Sequence, residues 1–507
     1  MIKQLGQIDF GAPDANAEFV LASKTNSKPL FLEAYVPPPL SNLQKFRDGE
    51  CFLLLGLKGT GKTAVLRDLQ SHAKSQEKSV EFLIFRNEIL EEKDLLDFDW
   101  PILVDDKKIK QTKHYLHCIK RILLSIILKL CVDQIQIDDS EIDDDSDSFF
   151  RNFLEKMRSS STARLVQAAF DTIQATITST RVDPSKISNG KISTDASRLL
   201  KRQNDLILEN ICRQLKKSKR KIALFVDEIH FAYRDEKTLE QDAMLVRDTI
   251  LAVINLNERF INERIDCVIY AGFRSEFMDH PLIAAAEVNN ALSSYGEVLS
   301  WATFPANSNH PMFDIASKRI EHSLGKSFSK SKIADTYFGS INTQSFVEET
   351  WSKPRDIIRF FNIAKKMYPN RISLEPREFK AALRSYSSEA WLEIKTAATA
   401  FLPPKGIIQL EELLRNLGPK MFKAGFSLTM EEFSNQLEPV YREISAAHTA
   451  TYSKKHLIQM LFILGIFYTR KHDSSGPGIV YAYHRGNRHP AEDGLVFLHR
   501  SVARAFS

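Results

Sequence analysis

The stretch Cys51-Phe52-Leu53-Leu54-Leu55-Gly56-Leu57-Lys58-Gly59-Thr60-Gly61-Lys62-Thr63 decides how the rest of the chain is read. Its apolar opening is bounded by glycine, which suits a strand buried on both faces. The remainder, from Gly56 to Thr63, matches the pattern GxxxxGK[ST]. Phosphate oxygens must be met by several backbone N–H groups at once, so the chain has to curl tightly around them. Glycine allows both the curl and the close approach. Just downstream, Ala64, Val65, Leu66 and Leu69 recur on one side of a helix expected over 62–75, whose positive end would face the same phosphates. This is the P-loop pattern. Gly56, Leu57, Lys58, Gly59, Thr60, Gly61, Lys62, Thr63 and Ala64 are the candidate nucleotide-binding residues. Lys62 is expected to reach the β- and γ-phosphates, and the Thr63 hydroxyl to hold Mg2+.

Such a loop needs a carboxylate for the hydrated metal and usually another to activate water. Ile222-Ala223-Leu224-Phe225-Val226 is the clearest buried strand in the chain, and Asp227-Glu228 follows it at once. A strand ending in acid puts the carboxylates at the carboxyl edge of a sheet, beside the loop. Asp227 is the candidate metal ligand through water, and Glu228 the candidate base. Cys267-Val268-Ile269-Tyr270-Ala271 is another strand, and it runs into Gly272-Phe273-Arg274-Ser275. Arg274 would sit one strand away from the γ-phosphate and stabilise charge during transfer. The alternative is a surface arginine paired with Glu276 or Asp279. With a further strand over 80–85, strands alternate with helical stretches, so an α/β fold with a parallel-sheet P-loop NTPase core is expected. Asp227-Glu228-Ile229-His230 also spells the DExH tetrad of superfamily 2 helicases. That reading requires a QxxGRxxR motif and a Ser-Ala-Thr after the tetrad, and the chain has neither.

At about 150 residues per domain, 507 residues leave room for two to four units. Hydrophobic residues at 43% and charged residues at 26% exclude a fibrous or globally disordered chain. Glycine is scarce at 19 and phenylalanine plentiful at 33, which favours helix-rich packing. Lysine and arginine total 69 against 64 acids, a net +5 that excludes a dedicated nucleic-acid packaging protein. Cys51, Cys118, Cys131, Cys212 and Cys267 include no CxxC pair. That argues against a disulfide framework or zinc site and fits the cytoplasm. The first ten residues lack a continuous apolar core, so no leader is expected. The longest apolar runs, 122–128 and 457–468, fall short of the ~20 residues a bilayer needs. Both read as buried helix, and no membrane association is expected.

Along the chain, residues 1–50 read as an extended lead-in containing Tyr35-Val36-Pro37-Pro38-Pro39-Leu40, and 51–305 as the core. Residues 100–218 read as a helical insertion. Its acidic run at 138–147 lacks the turn glycine of a calcium loop and reads as solvated, and a polar stretch covers 182–197. Residues 306–388 read as a helical lid, in which Lys353-Pro354-Arg355-Asp356 begins an amphipathic helix. Pro354 suits the first turn, and Arg355 is either a nucleotide contact or a plain surface residue. Residues 389–507 end in helix (454–471), strand (479–483), loop and strand (495–499), an order that suggests a winged helix. The basic run 216–221 reads as a solvated loop, with phosphate-backbone contact as the second option. His484-Arg485-Gly486-Asn487-Arg488-His489 reads either as a wing entering a DNA groove or as an internally packed turn. Trp301, Trp351 and Trp391 read as core anchors.

In this order, P-loop, Asp-Glu strand, strand ending in arginine, lid opening at a proline and winged helix, the chain resembles the AAA-related STAND and origin-recognition ATPases. It is most similar to a group of bacterial P-loop ATPases of like length. These share Phe10-Gly11, Ala15 or Ala17 and Glu18, the proline lead-in, Pro354-Arg355-Asp356-Ile357-Ile358-Arg359-Phe360, and tail strands like 481–485 and Phe497-Leu498-His499-Arg500. The resemblance covers most of the chain except 100–218. It implies ATP and Mg2+ bound between core and lid, with Val36, Pro37, Pro354 and Arg355 contacting nucleotide. It also implies slow hydrolysis as a conformational switch, a link to defence signalling or nucleic-acid transactions, and a protein partner or effector, with homo-oligomerisation an option. The alternatives are an ATP-loaded DNA-binding module and a scaffold that binds nucleotide without turnover.

Overall fold

Leu53–Gly56 (β1) is buried along its whole length, as an unbroken apolar run requires of a strand covered on both faces. The computed structural model describes the chain apart from residues 1, 39–41, 86–114, 133–145, 160–166, 170, 174, 177–191, 230–235, 276–277, 279–282, 284–285, 303–309, 340–345, 348, 400–401, 424–425, 448–452 and 474–475. Ser79–Ile84 (β2), Ile222–Ile229 (β3), Cys267–Arg274 (β4) and Gly296–Val298 (β5) join β1 in a five-stranded sheet ordered β2–β3–β4–β1–β5. Every pairing in it is parallel. The architecture is α/β, a parallel sheet with many helices. β3 and β4 run past the apolar stretches that announce them and take Asp227, Glu228 and Arg274 into the sheet's carboxyl edge.

Helices pack on this sheet. Ala15–Lys24 (α1) is capped by Asp14, whose side chain accepts from Ala17 N, and Lys62–Ser75 (α2) follows β1. Leu116–Val132 (α3), Ser146–Ser159 (α4) and Ile192–Ser218 (α5) come from the 100–218 segment. Their buried faces, Ile122, Phe153 and Ile211 among them, share one hydrophobic cluster with the sheet. Glu236–Asn262 (α6) is the crossover from β3 to β4. Of the acidic run, 138–145 lies outside the described residues and 146–147 open α4. The polar stretch expected through 197 is helical from Ile192 onward. The basic run at 216–221 is also not a loop throughout. Lys216 and Lys217 form the last turn of α5, where cations meet the negative helix end, and Lys216 pairs with Glu263 at 2.5 Å.

A second hydrophobic cluster gathers Met312–Leu324 (α7), Pro354–Met367 (α8), Pro376–Ala398 (α9) and the C-terminal elements. α9 runs unbroken across 388/389, so the unit boundary expected there falls inside a helix whose buried face includes Trp391. Trp301, Trp351 and Trp391 are all buried.

The helix expected over 454–471 stops early, as Lys454–Ile463 (α10), and the chain turns into strand Phe467–Asp473 (β6). Gly465 explains the stop. Its φ is 70°, and a Cβ there would stand 2.6 Å from the Trp351 indole nitrogen. The second apolar run, 457–468, is therefore helix, turn and strand. β6 pairs antiparallel with Gly476–Tyr481 (β7) and Leu495–Leu498 (β8) in the order β7–β6–β8. Arg500–Ala505 (α11) ends the chain. Among the described residues, no helix is long and apolar enough to cross a membrane.

Residues 1–50 are not merely a lead-in to β1. Leu5, Ile8 and Phe10 are buried in the second cluster, with the Phe10 ring stacked on Phe361 at 5.0 Å. Glu18 accepts from Ala12 N and Phe31 N and pairs with Arg319 of α7 at 3.2 Å, and Arg319 also donates to Phe10 O. The N-terminal segment is thus tied to α7 by a buried ion pair. Removing one partner of such a pair strands the other charge. Glu18→Met is expected to cost about 3 kcal/mol, read as a lowered urea midpoint. Replacing Glu18 and Arg319 together by apolar residues should recover most of that loss.

Candidate functional site

The glycine-rich loop leaves β1 at Gly56 and ends at Gly61, the N-cap of α2. Gly59 and Gly61 have φ of 87° and 94°, a left-handed region that only glycine enters at little cost. Thr60 Oγ1 donates to Leu57 O at 2.8 Å, and Trp301 Nε1 donates to Thr60 O at 3.0 Å, which pins the curl from inside. Lys62 Nζ turns back across the loop to donate to Gly56 O and Leu57 O at 2.7 and 3.0 Å. Thr63 and Ala64 stand half-buried on the first turn of α2.

Asp227 is 2% exposed, and its Oδ2 is buried with no hydrogen-bond partner among the described residues. A buried carboxylate oxygen left in this state points to a cation or water that would satisfy it. Glu228 has φ of 56° at the register shift between Val226 and Ile229 where β3 pairs with β4. A bulge re-aims a side chain, and left-handed backbone at a non-glycine residue is strain of the kind that gathers at functional sites. His230 lies outside the described residues, as do Glu276 and Asp279, the alternative partners of Arg274.

The sheet order sets the spacing. β4 lies between β1 and β3, so the loop and the acidic pair stand two strands apart, about 9.6 Å. Arg274 is in register with Gly56, which brings it to the mouth of that gap. From the other side comes the N-terminus of α8, with Pro354 in its first turn. Arg355 N donates to Gly59 O at 3.5 Å, and a Cβ on Gly59 would meet the Arg355 and Lys353 side chains at 3.4 Å. Arg355 pairs with Glu393 at 2.9 Å and Asp14 at 3.2 Å. Of the lead-in residues, Val36 packs on the second hydrophobic cluster and Tyr35 on that of the sheet; Pro37 is exposed, and Pro39 and Leu40 lie outside the described residues.

Three neighbours escaped the sequence reading. Arg67 lies one helical turn after Thr63, with its guanidinium between the Phe19 and Phe82 rings at 3.8 and 3.5 Å. Burial pushes its pKa down to about 10, against the pull of Asp227 and Glu81. The i,i+4 spacing from Thr63 was the available signal. Arg359, quoted above within the Pro354–Phe360 stretch but given no role, is joined to Glu393 at 2.5 Å, and Glu393 had no local signal at all. In the 483–489 turn, Tyr483, His484 and Arg485 are half-buried, while Arg488 and His489 are exposed. Tyr483–Arg485 is a short 3-10 helix, Tyr483 Oη donates to Ser275 O at 3.3 Å, and His489 meets Gln459 at 3.1 Å.

All five cysteines are buried and unbridged, and burial pushes the Cys118 and Cys267 thiols well up. Among the described residues, no three His, Cys, Asp or Glu side chains gather as a metal cage.

The segment that brings Lys353, Arg355, Arg359 and Glu393 to the loop also carries the match to known proteins. No curated protein and no solved structure matches the chain. Residues 310–395 match the FunZ-associated C-terminal helical domain, a description that identifies a helical domain and names no ATPase family.

Proposed function

We propose that this chain binds and slowly hydrolyses ATP and that the change of nucleotide works as a switch between the sheet domain and the helical lid, in the manner of STAND-like ATPases. The observation that carries the reading is one juxtaposition. A loop with left-handed glycines opens a helix carrying Lys62 and Thr63, and a buried carboxylate oxygen without a partner lies two strands away. Mg2+ fits this donor set, because that ion is commonly held by one or two protein ligands together with substrate phosphates. Thr63 and Asp227 would hold it, and when bound it neutralises phosphate charge. Lys62 binds the phosphates as a point charge. Glu228 orients the attacking water and takes its proton. Arg274 stabilises charge on the transferred phosphoryl group. Arg355, whose backbone N donates to Gly59 O, couples the lid to that chemistry.

The contact of Tyr483 with Ser275 O supports internal packing of the first half of the 483–489 turn, and the exposed Arg488 and His489 leave DNA contact as the second reading. A protein effector that reads the position of the lid is the partner this reading calls for.

The test is calorimetric binding of MgATP together with phosphate release. Wild type should bind one equivalent. Asp227→Asn should lower turnover by about 10²-fold or more, while affinity for ATP in EDTA stays within a few-fold. Equal turnover in both proteins would remove Asp227 from the reading.

A further inference from the structure

Beside the glycine-rich loop is a cleft lined by five cationic side chains, Lys58, Arg274, Lys353, Arg355 and Arg359. Two carboxylates, Glu393 and Asp356, line it as well. Among the described residues that line it, positive groups outnumber negative ones by three, and Asp14 pairs with Arg355 at 3.2 Å from outside the lining. Glu393 on α9 carries most of the balance. It accepts from Arg355 at 2.9 Å and Arg359 at 2.5 Å, and it pairs with Lys58 of the loop at 3.4 Å. Asp356 stands 3.7 Å from Arg359 and is itself buried. Burial alone would raise the Glu393 pKa, but Arg355, Arg359 and Lys58 together hold it well below the usual carboxylate range. Burial is the main cause that lowers the Lys58 pKa; Glu393 opposes it, and Arg274 and Arg355 add to it.

We propose that Glu393 is a resident carboxylate that takes the place of a nucleotide's terminal phosphate, so that it biases the site toward a diphosphate and is displaced only by a triphosphate. The argument is one of charge and geometry. A terminal phosphate brings about two negative charges and three acceptor oxygens to guanidinium groups that prefer bidentate partners, whereas a carboxylate brings one charge and two oxygens. The exchange is therefore favourable for a triphosphate, and a diphosphate gives Glu393 no competitor. The same exchange breaks the contact between Lys58 on the loop and α9 on the lid, so the terminal phosphate would be read as a loosened lid. Here the inference rests on the ATP reading proposed above.

The experiment is calorimetric titration of the full chain with MgATP and, separately, MgADP, in wild type and Glu393→Gln. The amide keeps shape and hydrogen-bonding capacity and loses the charge. The expected result is MgATP affinity raised about tenfold, within the range of ordinary coupling between a ligand and a switch, with MgADP affinity moving less than about twofold. Unchanged affinities, or both weakened together, would make Glu393 a structural residue and overturn the proposal. Wild type that binds neither nucleotide would overturn the ATP reading and this inference with it. Should Glu393→Gln not fold, Glu393→Asp withdraws the carboxylate by one methylene and should shift the ATP-to-ADP preference the same way by a smaller factor; no shift there also overturns it.

Discussion

Lys62→Ala is expected to remove measurable MgATP binding and, with it, all phosphate release. The Lys62 ammonium lies at the mouth of the loop, 2.7 Å from Gly56 O and 3.0 Å from Leu57 O, on the residue that opens α2. A point charge placed there is the main counterweight to the β- and γ-phosphates. Each hydrogen bond to a charged group is worth about 1.5–3 kcal/mol, so losing two phosphate contacts lowers affinity by about 10²–10⁴-fold. The fold should be spared. Lys62 is half-buried, alanine is the best helix former, and of the two carbonyls it leaves, Leu57 O still accepts from Thr60 Oγ1 at 2.8 Å. Calorimetry for binding and circular dichroism for folding check the two halves. A folded Lys62→Ala protein that binds MgATP as wild type does would mean that the loop does not cradle phosphate.

Glu228→Gln separates binding from chemistry. Removing a positioned base costs about 10²–10⁴-fold in rate, while the amide occupies the same space and keeps phosphate binding intact. The variant is therefore expected to retain MgATP through repeated gel filtration, where wild type slowly converts it to MgADP. The backbone reinforces the choice of residue. With φ at 56° and a register shift beside it, Glu228 is held in a conformation that costs of order 1–3 kcal/mol, and Gln suits it no worse than Glu. Single-turnover phosphate release decides between this and the alternative of a scaffold that binds without turnover. Equal rates for wild type and Glu228→Gln would assign the base elsewhere, and no release by wild type would favour the scaffold.

The residues that local pattern could identify were those whose role is set by their neighbours in sequence. The apolar run before Gly56 and the helical spacing after Lys62 give β1 and α2, and α2 has the expected limits. The strands ending at Asp227-Glu228 and Arg274 were likewise legible, because burial on both faces leaves a continuous apolar signature. Where local pattern misled, a distant residue intervened. The apolar run at 457–468 looks like one helix until Trp351 packs against Gly465 and donates to its carbonyl at 2.9 Å. Residues 1–50 look like a plain lead-in until Phe10 stacks on Phe361 and Glu18 meets Arg319.

The order of residues by itself pointed to an α/β sheet of parallel strands, a glycine-rich turn after one strand and an acidic pair at the end of another, because each of these is written in spacings shorter than one element. Packing established the rest: that β4 separates the loop from the acids, that α8 sets Arg355 over Gly59, and that Glu393 holds Lys58, Arg355 and Arg359 together. Ion pairs and strand order join elements far apart along the chain, and no periodicity within either element records which partner it will meet.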